Sequence, residues 1–207
     1  MKNLIVGILL SIPFVLIAQQ QKEFDFVANQ ENGFTAVKEG ERWGFLDANG
    51  DMVVKLRSDL VTNEKPKSGN IGVAGIKYPK FQEERAIIKK QQDGVNYYGF
   101  INNEEKTVVE PEFLNLTNFS NGKALALKLE EERLGKNQLL GKGVISYKYD
   151  VVLIDKKGEV LKYLEGPFPV SISKQKLREA PKIEAKWLGE KTLSVKAPNK
   201  KWRIHKL

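Results

Sequence analysis

Asp47, Asn49 and Asp51 place side-chain oxygens at every second position, as the opening ligands of a calcium loop do. The rest of such a loop is missing. Met52 stands where the loop glycine belongs, and Ser58 where a bidentate glutamate would close the site, so a hairpin turn is expected instead. Between Gly135 and Gly143, glycines and lysines suggest a phosphate cradle. With Gly141-Lys142 set on the Gly-Lys of a P-loop, however, Lys136 takes the leading glycine's place and Gly143 that of the Ser or Thr, leaving an exposed loop. His205 is the only histidine, which provides no pair for zinc and a single candidate base for a Ser-His-Asp arrangement. Carboxylates for glycoside hydrolysis could come from any of 26 acidic residues, so no dyad is singled out. No catalytic residue, metal ligand or cofactor is expected.

Charge carries a sharper signal. Residues 171–207 hold 11 Lys and Arg against 3 Asp and Glu, whereas residues 1–170 hold 23 of each, so the whole net +8 sits at one end. Such asymmetry suits an anionic partner, although lysines also serve simply to keep strand faces soluble. The same segment alternates: Ile183, Ala185 and Trp187 against Lys182, Glu184 and Lys186, then Leu193, Val195 and Ala197, with Trp202 and Ile204 opening a last strand. Period two implies a small β meander with one buried face. If Ile183, Trp187, Val195 and Ile204 face inward, then Lys182, Lys186, Lys196, Arg203 and His205 share the outward face as an anion-binding patch.

Compartment follows from the other end. Lys2 precedes an uncharged apolar run from Leu4 to Ala18, which matches a signal-peptide core and is shorter than the roughly 20 residues of a spanning helix. Cleavage before Gln19 is expected, giving a periplasmic or secreted protein with no transmembrane helix in its mature form. The absence of cysteine excludes disulfides, thiolate zinc, a thiol nucleophile and a lipid-modified cysteine. Export favours lipopolysaccharide, lipid headgroups or acidic polysaccharide over nucleic acid as the anionic partner.

The elements that position these residues recur along the chain. Trp43-Gly44-Phe45-Leu46-Asp47 with Gly50 aligns with Tyr98-Gly99-Phe100-Ile101-Asn102 and with Leu153-Ile154-Asp155 plus Gly158. Short aliphatic pairs follow each copy, at Val53-Val54, Val108-Val109 and Val160-Leu161. Upstream, Gly33 to Val37, Glu84 to Ile88 and Gly122 to Ala126 form a second recurring element, with Phe81 and Phe119 three residues before the latter two. Each unit reads as strand, strand, tight turn, strand, with Asp47, Asn102 and Asp155 at the turns, where short side chains bond the backbone two residues on. Trp43, Phe45, Tyr98 and Phe100 are expected to be the main buried aromatics.

These residues resemble the WG-repeat family of bacterial proteins, whose units carry Trp-Gly-Phe/Tyr-Ile-Asp-x-x-Gly, aliphatic residues, and a downstream Phe-x-x-Gly-x-Ala. The resemblance covers about residues 26–166 and departs where Glu105 replaces the turn glycine and where Val151-Val152 replaces Trp-Gly. It implies an exported β-repeat protein and supplies no catalytic residues.

The expected fold is all-β: degenerate antiparallel meanders forming a curved, solenoid- or propeller-like sheet, plus a small C-terminal β meander. The expected division is a signal peptide over 1–18, an N-terminal segment over 19–33, the repeat region over 34–166, and a basic C-terminal β segment over 167–207. Pro167 and Pro169 are taken to mark the last boundary. Residues 63–70 and 129–142 read as loops, and 171–179 as a short helix. The expected role is an exported, non-enzymatic binding protein whose repeats contact a cell-envelope protein or glycan. A structural envelope protein and a carboxylate-dependent glycoside hydrolase are the alternatives.

Overall fold

The computed structural model describes residues 22–67, 69, 71–136, 143–173, 177 and 179–207. The expected signal segment, residues 137–142 of the loop expected over 129–142, and residues 174–176 and 178 of the helix expected over 171–179 lie outside these residues.

The described chain is all-β, and every strand ladder is antiparallel. A first sheet contains β1 (Phe26–Val27), β2 (Thr35–Glu39), β3 (Arg42–Leu46) and β4 (Met52–Arg57) in chain order. The second contains β5 (Phe81–Gln82), β6 (Arg85–Gln92), β7 (Val95–Ile101), β8 (Thr107–Leu116), β9 (Ala124–Lys136), β10 (Gly143–Ile154) and β11 (Val160–Val170), again with each strand beside its chain neighbours. The third is the meander β12 (Ala185–Gly189), β13 (Thr192–Lys196) and β14 (Trp202–Lys206). A single 3-10 turn, Val73–Gly75, is the helical element among the described residues.

Three meanders share one turn chemistry. In β3–β4, β7–β8 and β10–β11, the side-chain oxygen of Asp47, Asn102 or Asp155 accepts backbone N–H groups two and four residues on, at 2.8–3.0 Å. Gly50, Glu105 and Gly158 then take φ of 83°, 62° and 87°. The Asp47 triplet is thus the expected turn, with Asp47 Oδ1 spent on the backbone and Oδ2 accepting from Asn49 Nδ2.

The glycine of the Trp-Gly pair is needed for close approach. A Cβ on Gly44 would lie 2.7 Å from the Val54 carbonyl oxygen, and one on Gly99 would lie 2.3 Å from that of Val109. At both positions the following strand bulges: the register slips between Trp43 and Phe45 and between Tyr98 and Phe100. In the third unit Val152 occupies the equivalent place, fully buried, and β11 shifts register on either side of it instead.

Trp43, Phe45, Tyr98 and Phe100 are all buried. Phe45 packs with Val54, Leu60 and Phe81, while Phe100 meets Phe119 at 4.6 Å between ring centres and lies with Val109, Val152 and Ile154. The third cluster joins Leu125, Leu127, Val151, Leu153 and Leu164 of the repeat sheet to Ile183, Ala185, Leu193 and Val195. The C-terminal meander therefore closes the apolar face that the third unit would otherwise expose.

Two local expectations are corrected. Residues 129–136, expected as loop, continue β9 and pair with β10 through Lys136↔Gly143, making a charged ribbon whose hydrogen bonds need no buried face. Pro167 and Pro169, expected to end the repeat region, lie within β11, the edge of its sheet, where a missing N–H is tolerated.

Candidate functional site

The basic C-terminal sheet is built from a register that can be read residue by residue. Leu193 pairs with His205 and Val195 with Arg203, while Ser194 pairs with Ile204 and Lys196 with Trp202. Directly paired residues share a face, so His205 and Arg203 point with Leu193 and Val195 toward the core side. Trp202 and Ile204 point the other way. On β12, Lys186 pairs with Ser194 and so joins that outer face, while Trp187 pairs with Leu193.

The expected five-residue patch is therefore split. Lys182 is exposed just ahead of β12, and Lys186 and Lys196 stand on the outer face. Lys186 Nζ sits 5.1 Å from the Trp202 ring centre, and Lys196 Nζ donates to Glu184 Oε1 at 2.8 Å. Arg203 and His205 lie underneath, because the turn after Ala197 sets β14 one residue out of the assumed parity. There Arg203 Nη1 donates to Glu165 Oε2 at 2.8 Å, and His205 Nε2 lies 3.1 Å from Glu165 Oε1. The Glu165 side chain is only 1% exposed. The two residues thus bind an internal carboxylate on β11 and fasten the C-terminal sheet to the repeats, with a further tie from Lys162 Nζ to the Lys206 carbonyl at 2.7 Å.

The expectation that Ile204 is inward is likewise corrected, while Trp187 shares the core-side face of its partner Leu193. Ile204 is 65% exposed and Trp202 47%, and Trp187, at the sheet margin, is 37% exposed. Ile183 and Val195 are buried as expected.

The lead into this sheet is fixed by Asn115, a buried amide on β8. Its Oδ1 accepts the Val73 N–H at 3.0 Å and its Nδ2 donates to the Pro181 carbonyl at 2.7 Å. Ile71 makes a bridge to Ile183 beside it.

A second candidate lies in the first unit, where a groove of about 420 Å³ is floored by Phe26, Trp43 and Leu60. The Phe26 and Trp43 rings meet edge to face at 5.6 Å, and Lys38 Nζ stands 5.9 Å from the Trp43 ring centre. Three lysines and three carboxylates rim the groove, so it has an apolar floor and no net charge. Sequence reasoning missed it because Phe26 and Leu60 belong to segments outside the repeat motif.

Other titrating groups act structurally. A hydrogen bond and charge from Lys80 hold the Glu31 carboxyl below its usual range, with Tyr78 adding a second donor. Burial raises Asp150, with Glu130 adding to the effect. No group of three or more metal-binding side chains occurs among the described residues. No helix among the described residues is long and apolar enough to cross a membrane.

Among known families, the one described as WG containing repeat matches residues 98–129, from Tyr98 in β7 through β8 into β9. The resemblance read from the motif holds for this stretch, which includes Tyr98-Gly99-Phe100 and Phe119 to Ala124. No curated protein matches the chain, and no solved structure does.

Proposed function

We propose, from the WG-repeat likeness of residues 98–129, that this is an exported, non-enzymatic binding protein of the cell envelope, periplasmic or secreted. Its C-terminal sheet meets an anionic envelope component through its outer face, and the repeat units serve as the scaffold. The observation that carries the reading is the outer face itself: Lys186 and Lys196 share it with the exposed Trp202 and Ile204, within the segment that holds the entire net charge. Strands about 4.8 Å apart bring such ammonium groups within one Debye length, roughly 8–10 Å, so their fields add. The neutral groove at Trp43 suits a protein segment or glycan, as an uncharged apolar floor with a polar rim does.

We also read the repeats as a curved, open array. Support comes from the turn at Gly158 lying against Val109, which β8 contributes from three strands away along the chain order of the sheet.

The test is retention on immobilised heparin and on lipopolysaccharide across a salt gradient. Wild type is compared with Lys186→Glu/Lys196→Glu/Lys206→Glu, which leaves Arg203 in its place with Glu165. Earlier elution of the folded variant supports the reading, since polyanion binding weakens with each lost cation and with rising salt. Elution at the wild-type position refutes it.

A further inference from the structure

We propose that the outer face of the C-terminal sheet docks on an anionic phospholipid bilayer, with Trp202 and Ile204 entering the headgroup layer and Lys186 and Lys206 meeting lipid phosphates. The inference rests on the anion-binding reading above and names the partner.

The first observation is that β14 is inverted. A strand with one packed face ordinarily turns its apolar side chains inward and its polar ones to water. Here Arg203 and His205 face the protein and satisfy Glu165, while Trp202 and Ile204 face out. Solubility alone would favour the opposite placement, so two large apolar side chains at alternate positions of an outer strand point to a partner. They stand about 6.8 Å apart along the strand, on the same side as Lys186 and Lys206.

The second observation is the pairing of indole and ammonium. Lys186 lies over the Trp202 ring, and Lys206 is two residues beyond Ile204. An indole rests at a water–hydrocarbon boundary because its body is apolar and its N–H is polar, and a lysine stem can lie along apolar surface while its head reaches a phosphate. Interfacial binders combine these two contributions, apolar area and attraction to anionic lipid.

Size and charge choose the partner. Five residues per strand and three strands give a face on the order of 17 by 14 Å, about 240 Å² in plan, against roughly 800 Å² per side for a stable protein interface. A soluble polyanion would use the lysines and leave Trp202 and Ile204 without a role. A neutral glycan would use Trp202 and leave the charge without one. A bilayer surface with acidic headgroups uses both. The one carboxylate on this face, Glu184, is already bonded to Lys196.

The experiment is co-sedimentation with vesicles of phosphatidylcholine alone, or with about one-third phosphatidylglycerol, together with tryptophan emission. In a Trp187→Phe background the reporters are Trp202 and Trp43, and Trp43 is buried and should not respond. Binding to the anionic vesicles, with emission moving to shorter wavelength, is expected. Trp202→Ser/Ile204→Ser should lose at least about tenfold in vesicle affinity while eluting from heparin with wild type. Lys186→Glu/Lys206→Glu should lose both, by about fivefold or more per lysine on vesicles. Ile204→Ser alone, at a 65% exposed position, serves should the double variant unfold. Any other apolar segment of the chain is common to all variants, so differences between them report on this face.

Equal vesicle affinity of wild type and the Trp202/Ile204 variant overturns bilayer docking, as does equal binding to neutral and anionic vesicles. Heparin retention with no vesicle binding also overturns it and leaves the polyanion reading standing. Loss of both in wild type ends the two together.

Discussion

Replacing Gly99 with alanine places a methyl group into backbone. Its Cβ would lie 2.3 Å from the Val109 carbonyl oxygen, 2.7 Å from the Glu110 carbonyl carbon and 2.7 Å from the Pro111 nitrogen. None of these belongs to a side chain that can rotate away, so β8 must move by several tenths of an ångström or more. Overpacking usually costs 1–3 kcal/mol, and three backbone clashes put Gly99→Ala at the upper end, about 3 kcal/mol. For a protein of this size that lowers the melting temperature by roughly 6–12 °C. Gly44→Ala meets one such contact, the Val54 oxygen at 2.7 Å, and should cost less. Gly189 provides the control, since it is a strand glycine with nothing within 4 Å of its Cβ position. Urea midpoints at constant slope measure all three. Should Gly99→Ala fall within about 0.5 kcal/mol of Gly189→Ala, the close-approach account of the Trp-Gly glycine is wrong.

Glu105 holds φ at 62° where the other two units have glycine, so Glu105→Gly should raise stability by about 0.5–1 kcal/mol, read from the same denaturation curves. The Asp47 carboxyl is held below its usual range, first by the Asp51 N–H and then by that of Asn49. Its folded value is therefore below its unfolded one, so the stabilisation is present above about pH 4 and is lost as pH falls through the folded value. Asp47→Asn keeps the acceptor, as Asn102 does, and its unfolding midpoint should change less than that of wild type when pH drops from 5 to about 2.5. Glu165→Ala should cost about 1.5–3 kcal/mol, the range for hydrogen bonds to a charged group, because Arg203 at 60% exposure can return to water. Amide exchange should quicken in β14 and not in β6 or β7.

What the sequence discloses is local. The turn at Asp47, Asn102 and Asp155 was legible because an Asx side chain and a left-handed residue three positions on determine a turn without help from the rest of the fold. Trp43, Phe45, Tyr98 and Phe100 could be assigned to the interior for the same reason: they flank that turn in strands with a repeated pattern. The parity of β14 was not legible. It depends on how many residues the turn between Ala197 and Lys201 consumes, and a slip of one exchanges every inward and outward side chain. Apolarity then misled, because Ile204 was assigned inward by type. Glu165 carried one signal that went unused: a lone acid between Leu164 and Gly166 in an otherwise apolar part of the strand needs a cationic partner if it is buried. The ribbon at 129–136 was invisible to periodicity, since strands exposed on both faces show none.

The two sides of β14 divide its mutational consequences. Arg203 and His205 are bound to an internal carboxylate, so a change there is felt by the fold, while Trp202, Ile204 and Lys206 can vary with little effect on it. A scan of five consecutive residues should therefore oscillate in melting temperature with a period of two. Evolution meets the same alternation: the outward positions form a freely variable alphabet on a fixed support, so the sheet can change what it touches without first having to relearn how to fold.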